Sequence, residues 1–179
     1  TPKTSSAASD VYKRQEELEA IQRVCDSDMY TMGKHVKQFE NEFADVFGSE
    51  NAVMVNSGSS ANLLMLSLLK WKYKLTGDII VPVVGWATTY FPISQNGFKI
   101  NFVDVDKDTW NIDVDKIEAA ITPNTCAVMA VNLLGNSCDY DRIIEICRKH
   151  NLMLIEDNCE SMGAKHNGKH TGSIGPVSY

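Results

Sequence analysis

Ala52-Val53-Met54-Val55-Asn56-Ser57-Gly58-Ser59-Ser60-Ala61-Asn62 runs directly into a helix-like segment, Leu63 to Leu69. In order, that is a short buried strand, a turn of small residues and a helix. A helix start leaves backbone N–H groups without intrahelical partners, and the helix dipole favours an anion there. Gly58 lets the backbone approach a ligand closely, and Ser59 and Ser60 add hydroxyl donors. The turn therefore suits a phosphate. It suits a plain helix cap equally well, since Ser and Asn are good caps.

Outward from this turn the chain alternates. Upstream, Leu18, Ile21 and Cys25 recur at helical spacing over Glu16 to Cys25, and Val36, Phe39, Phe43 and Phe47 share one face of a helix that Gly48 stops. Ser59–Trp71 is apolar almost all round, which predicts a deeply packed helix. Downstream, strands are predicted over Asp78–Pro82, Lys99–Val105, Thr125–Val131 and Leu152–Ile155. Helices are predicted over Trp86–Gln95, from Asp113 to about Ala120, and over Asp139–His150. Such alternation implies a mostly parallel sheet with helices on both faces. Ligands of such sheets sit at the carboxyl ends of the strands. The Asn56–Asn62 turn, the Gly85-Trp86 turn, the Asn132–Asn136 loop and the Asp157 turn are thus expected on one rim.

The chain has 179 residues, a net charge of −6 and 44% hydrophobic residues. That supports one domain with a sizeable core. The acidic balance argues against a nucleic-acid or anionic-membrane surface. No apolar run is long enough to span a bilayer. The five cysteines (25, 126, 138, 147 and 159) are scattered, lack CxxC spacing and form no zinc pattern with the histidines. They read as mostly buried, reduced thiols of a cytoplasmic protein. Residues 1–15 are small and polar and resemble a translated sequencing-adapter tail, and the pattern stops in mid-course at Tyr179. The sequence thus reads as a tail (1–15) followed by a fragment of a longer protein (16–179).

Asp157 follows an apolar strand, where a carboxylate is costly unless donors or a cation satisfy it. Trp86 opens a helix after another strand end, and its indole face could cover an aromatic ligand. Each has a plainer explanation alone: Trp86 as a core aromatic, Asp157 as a helix cap, Glu160 as a solvated surface charge. Together with the phosphate turn they fit pyridoxal phosphate, which needs a phosphate anchor and an acidic partner for its ring nitrogen. A P-loop or dinucleotide fold is disfavoured, because neither glycine-rich string is present.

From about Gly33 to Gly175 the chain resembles the DegT/StrS family of pyridoxal-phosphate sugar aminotransferases and their sugar 3-dehydratase relatives. The matching residues are Asn56–Asn62, Gly85-Trp86-Ala87-Thr88-Thr89, Phe102-Val103-Asp104-Val105-Asp106, Asn111-Ile112-Asp113, Ala120-Ile121-Thr122-Pro123 and Ile155-Glu156-Asp157-Asn158. The resemblance implies the α/β large domain of a type I PLP-transferase, aspartate-aminotransferase-like. It implies that Gly58, Ser59 and Ser60 hold the cofactor phosphate, that Trp86 stacks on the ring and that Asp157 pairs with the pyridine nitrogen. Glu160 stands where many members have Gln near the ring hydroxyl. The family's Schiff-base lysine lies roughly thirty residues beyond the motif aspartate, so it is expected past Tyr179. Lys165 and Lys169 fall too early. The resemblance further implies that 16–179 is a partial PLP-binding large domain and that the family's small C-terminal domain is absent from this sequence. The segments 95–97, 133–136 and 157–159 look like the dehydratase branch, which carries His in place of that lysine. The expected activity is an aminotransferase acting on a nucleotide-linked keto-sugar for surface polysaccharide, with the 3-dehydratase as its alternative and an inactive fragment or dimerisation module as a third. Glutamate is the implied amino donor and a homodimer the implied assembly.

Overall fold

The computed structural model of the chain describes residues 15–178; the predicted tail falls almost wholly outside them. Two helices, α1 (Gln15–Asp26) and α2 (Lys34–Phe47), precede α3 (Gly58–Trp71). Strand and helix then alternate: β1 (Asp78–Pro82), α4 (Ala87–Gln95), β2 (Lys99–Val103), α5 (Val114–Ala120), β3 (Thr125–Val131), α6 (Tyr140–His150) and β4 (Met153–Asp157). A small hairpin of β5 (Lys165–His166) and β6 (Lys169–His170) follows, then β7 (Val177–Ser178). The main sheet has the order β2-β1-β3-β4-β7, and all its neighbours are parallel. This is the α/β architecture the alternation predicts.

Alternation of side chains along each strand builds two separate cores. Ile79, Val81, Ala127, Met129 and Ile155 pack on one face with Met65, Leu66 and Leu69 of α3 and Ile93 of α4. Ile80, Val128, Ala130 and Leu154 pack on the other with Ile117 of α5 and Tyr140, Ile143 and Ile146 of α6. Parity therefore fixes the direction of the polar residues that end β4. Asp157 shares the face of Ile155 and points toward α3 and α4. Glu156 shares the face of Leu154 and points toward α6.

The helix boundaries follow local chemistry. Asp113 caps α5 by accepting from Asp115 N–H, and Asp139 caps α6 by accepting from Arg142 N–H. Gly48 ends α2 in the left-handed conformation, φ 67°. In α2, Phe43 lies 5.6 Å from Phe39 and 4.4 Å from Phe47 between ring centroids, confirming their common face. That face is thinly covered: Ala44 is the one buried residue of α2, and α1 has none.

Two expectations need correction. Ala52–Val55 is not a buried strand: it has no ladder partner, and Val53 is 66% exposed. A strand requires a neighbour, and this run is instead tied by one bond, Met54 N–H to Glu40 Oε1, 2.9 Å. Nor is α3 packed all round. Leu63 and Leu64 are exposed, because only the side carrying Asn62, Met65, Leu66 and Leu69 meets the sheet and α4. Cys138 and Cys147 are buried, Cys126 is half-buried, and Cys25 and Cys159 are exposed. Among the described residues no helix is long and apolar enough to cross a membrane, and no group of His, Cys, Asp and Glu is placed to hold a metal ion.

Candidate functional site

The three motifs of the sequence meet at one buried carboxylate. Asp157, at the carboxyl end of β4, is 1% exposed. Its Oδ2 accepts from Thr89 Oγ1 of α4 at 2.8 Å and from Asn62 Nδ2 of α3 at 3.2 Å. The same Asn62 amide reaches the Thr88 carbonyl at 3.4 Å. Asp157 Oδ1 accepts a long bond from Cys159 N–H, 3.4 Å. The helix behind the small-residue turn, the helix behind Trp86 and the strand end are thus joined by one side chain. These donors to Asp157 are all neutral: a hydroxyl, an amide and a backbone N–H. Its field is felt nearby: burial first, and the Asp157 charge second, push the Tyr90 phenol up to about 12. Tyr90 donates instead to the Pro82 carbonyl, 2.9 Å, passing the bare backbone of Gly85, where a Cβ would collide with the phenol oxygen.

At the start of α3 the capping oxygen and the first unbonded helix N–H groups belong to different residues. Ser57 is the cap: it is extended (φ −165°, ψ 160°), and its Oγ accepts from Ser60 N–H at 3.2 Å. Gly58 and Ser59 open the helix beyond it, and their N–H groups have no acceptor within the helix. Ser59 is exposed, and Ser60 is half-buried. The capping reading and the anion reading are therefore compatible.

Trp86 is not a core aromatic. It stands at the N-cap of α4 and is 75% exposed, at the same helix start that supplies Thr88 and Thr89 to the Asn62–Asp157 cluster. An indole left open there is available to cover a flat ligand. Glu160 is exposed, yet it is not simply solvated: its Oε2 accepts from Leu134 N–H at 3.0 Å. It thereby fastens the Leu133–Gly135 turn, in which Leu134 is left-handed (φ 54°), to the segment after β4. Lys165 and Lys169 are exposed on the β5–β6 hairpin.

Three participants escape sequence reasoning. Asn62 and Thr89 look like ordinary polar helix residues, although both are buried. Glu156, fully buried, accepts from the backbone N–H groups of Gly172 and Ile174, 2.7 Å each, and from that of Gly175. It clamps the turn that leads into β7. The one available signal is a Glu inside an otherwise apolar strand, which demands donors.

The model of the DegT/DnrJ/EryC1/StrS aminotransferase family matches residues 11–179. The chain belongs to this family. Among curated relatives, it is 54% identical over 165 residues to a GDP-4-keto-6-deoxy-D-mannose 3-dehydratase of Yersinia pseudotuberculosis, covering 90% of this chain and 42% of that protein. It is 39% identical over 145 residues to a GDP-perosamine synthase of Caulobacter vibrioides, covering 81% of this chain and 38% of that one. The chain thus spans less than half the length of these relatives. Among solved structures, the E. coli GDP-4-keto-6-deoxy-D-mannose-3-dehydratase with bound hydrated PLP superimposes with a TM-score of 0.87 at 48% identity, covering 94% of this chain and 44% of that one. The aminotransferase from Psychrobacter cryohalolentis superimposes with a TM-score of 0.88 at 32% identity, covering 96% and 43%. The fold of this family member is accordingly that of the PLP-dependent aminotransferases, over their N-terminal portion.

Proposed function

We propose that this chain is the N-terminal part of a pyridoxal-phosphate-dependent enzyme that acts on a nucleotide-linked keto-sugar, and that its reaction is a 3-dehydration. The observation that carries the cofactor assignment is the buried Asp157 carboxylate with neutral donors only. A protonated ring nitrogen is the partner such a site accommodates, because it supplies the missing cation. In this proposal Gly58, Ser59 and Ser60 bind the phosphate, Trp86 covers the ring face, Asp157 holds a proton on the ring nitrogen, and Glu160 stands beside the ring hydroxyl. When bound, pyridoxal phosphate supplies an electron sink. The chain's own contribution is to orient the ring, exclude water from its nitrogen and keep that nitrogen charged.

Support for the dehydratase branch comes from the gradient of likeness: relatives at 54% and 50% identity are GDP-4-keto-6-deoxy-D-mannose 3-dehydratases, whereas a GDP-perosamine synthase and a dTDP-sugar transaminase follow at 39% and 38%. An aminotransferase using glutamate is the second reading, favoured by GDP-perosamine synthases of two organisms among the relatives. The substrate is then a GDP-linked 4-keto-6-deoxy sugar, and the site of action the cytoplasm. The assembly in this proposal is a homodimer, in which the exposed apolar Leu63 and Phe91 would find cover. Residues 16–179 form part of the cofactor-binding large domain, inactive alone.

The test uses the full-length protein reconstituted with pyridoxal phosphate. The dehydratase reading expects cofactor that dialyses away after borohydride treatment, together with loss of the sugar 3-hydroxyl. Cofactor fixed by borohydride and a 4-amino sugar product establish the aminotransferase instead. Absence of any cofactor binding sinks both.

A further inference from the structure

Asn62 presents a contradiction. The residue is 0% exposed, yet its Oδ1 has no hydrogen-bond partner. An orphaned amide oxygen in the interior is destabilising, and a Leu of similar volume would avoid it. What fixes the amide in this orientation is its other end. Nδ2 faces the Asp157 carboxylate at 3.2 Å, and turning the amide over would set two oxygens against each other. The arrangement favours Asp157 over the needs of Asn62 itself.

The two oxygens of Asp157 are unequal. Each carboxylate oxygen has roughly two lone-pair sites. Those of Oδ2 are taken by Thr89 Oγ1 and Asn62 Nδ2, whereas Oδ1 has the 3.4 Å bond from Cys159 N–H. Asn62 also lies one helical turn beyond Gly58, in the helix whose first N–H groups face the proposed phosphate. One rigid element therefore bears on both ends of the proposed ligand.

We propose that Asn62 is a positioning residue for Asp157: with Thr89 it occupies Oδ2 and directs Oδ1 to the protonated nitrogen of a pyridine ring. This rests on the cofactor assignment above. Asn62 acts through Asp157 and does not itself take part in the reaction at the sugar. The role is distinct from capping, since Ser57 caps α3, and from core packing, since a packing residue needs no buried polar atom.

The experiment measures ring-nitrogen protonation directly. The full-length protein is loaded with 15N-labelled pyridoxal phosphate, and the nitrogen chemical shift is read for wild type, Asn62→Leu, Thr89→Val and Thr89→Ser. Cofactor dissociation constants are measured alongside by fluorescence. Asn62→Leu is expected to weaken cofactor binding about tenfold and to move the nitrogen shift toward the unprotonated value. Thr89→Val is expected to do the same and Thr89→Ser to restore wild-type behaviour. An Asn62→Leu protein that binds cofactor within twofold of wild type, with an unmoved nitrogen shift, overturns the proposal. If Asn62→Leu does not fold, the Thr89 pair decides, because an unmoved shift in Thr89→Val is equally fatal. A wild-type protein that binds no pyridoxal phosphate refutes the cofactor assignment itself, which separates the two failures.

Discussion

At the scale of single residues, β4 ends in two carboxylates that do opposite jobs. Asp157 faces α3 and α4 and takes neutral side-chain donors from Asn62 and Thr89, the environment in which we propose a ligand's ring nitrogen is held. Glu156 faces the other side, and its oxygens are consumed by backbone N–H groups of the turn before β7. Glu156→Gln sets an amide N–H₂ against these donors. It is expected to destabilise the fold by about 3 kcal/mol, measured as a shift of the urea unfolding midpoint. An unchanged midpoint means that the clamp contributes nothing. The sequence discloses Asp157 because a charge at the end of an apolar run is conspicuous, and it discloses Trp86 through its place after a strand. It does not disclose Asn62 or Thr89. Their function depends on which way a helix is rotated, and a polar residue every few positions is the ordinary look of a helix.

At the scale of elements, the strands that were legible are those that find neighbours. β1 and β3 occupy the predicted residues because both faces of each are covered by helices. Ala52–Val55 has the same composition but no neighbour to pair with, and pairing is not written in a run of four residues. The start of β1 shows how tight the successful pairing is. Gly77 has φ 115°, and a Cβ there would overlap the Asn124 carbonyl oxygen, which accepts from Asp78 N–H at 3.0 Å. Gly77→Ala is therefore expected to cost at least ~2 kcal/mol in urea unfolding, through backbone strain and loss of the first β1–β3 contact. Ser57→Ala removes the cap of α3 and is expected to cost about 1 kcal/mol in the same measurement.

At the scale of the whole molecule, the buried thiols set an alkaline limit. Burial pushes Cys138 and Cys147 up to about 12 and Cys126 up to about 11, from an ordinary value near 9. Burial also holds Tyr90 near 12. Each group binds its proton more tightly when folded, so its contribution is complete below pH 9 and is lost as pH rises toward 12. Thermal unfolding followed from pH 8 to 10 is expected to show a loss of about 1 kcal/mol by pH 10 for each of the buried thiols Cys138 and Cys147, and less for the half-buried Cys126. Cys147→Ala is expected to flatten that slope, and a slope that the substitution leaves unchanged rules the cause out. The Glu156 clamp has a different kind of consequence. It grips main-chain N–H groups, whose positions are set by the count of residues after β4 and not by their side chains. Glycine is favoured at Gly172 by its φ of 83°, and at Gly175 a Cβ would press on the Leu154 carbonyl. Exchanges that keep the residue count preserve this spacing, whereas a single insertion or deletion between Gly172 and Gly175 would leave donors and carboxylate out of step.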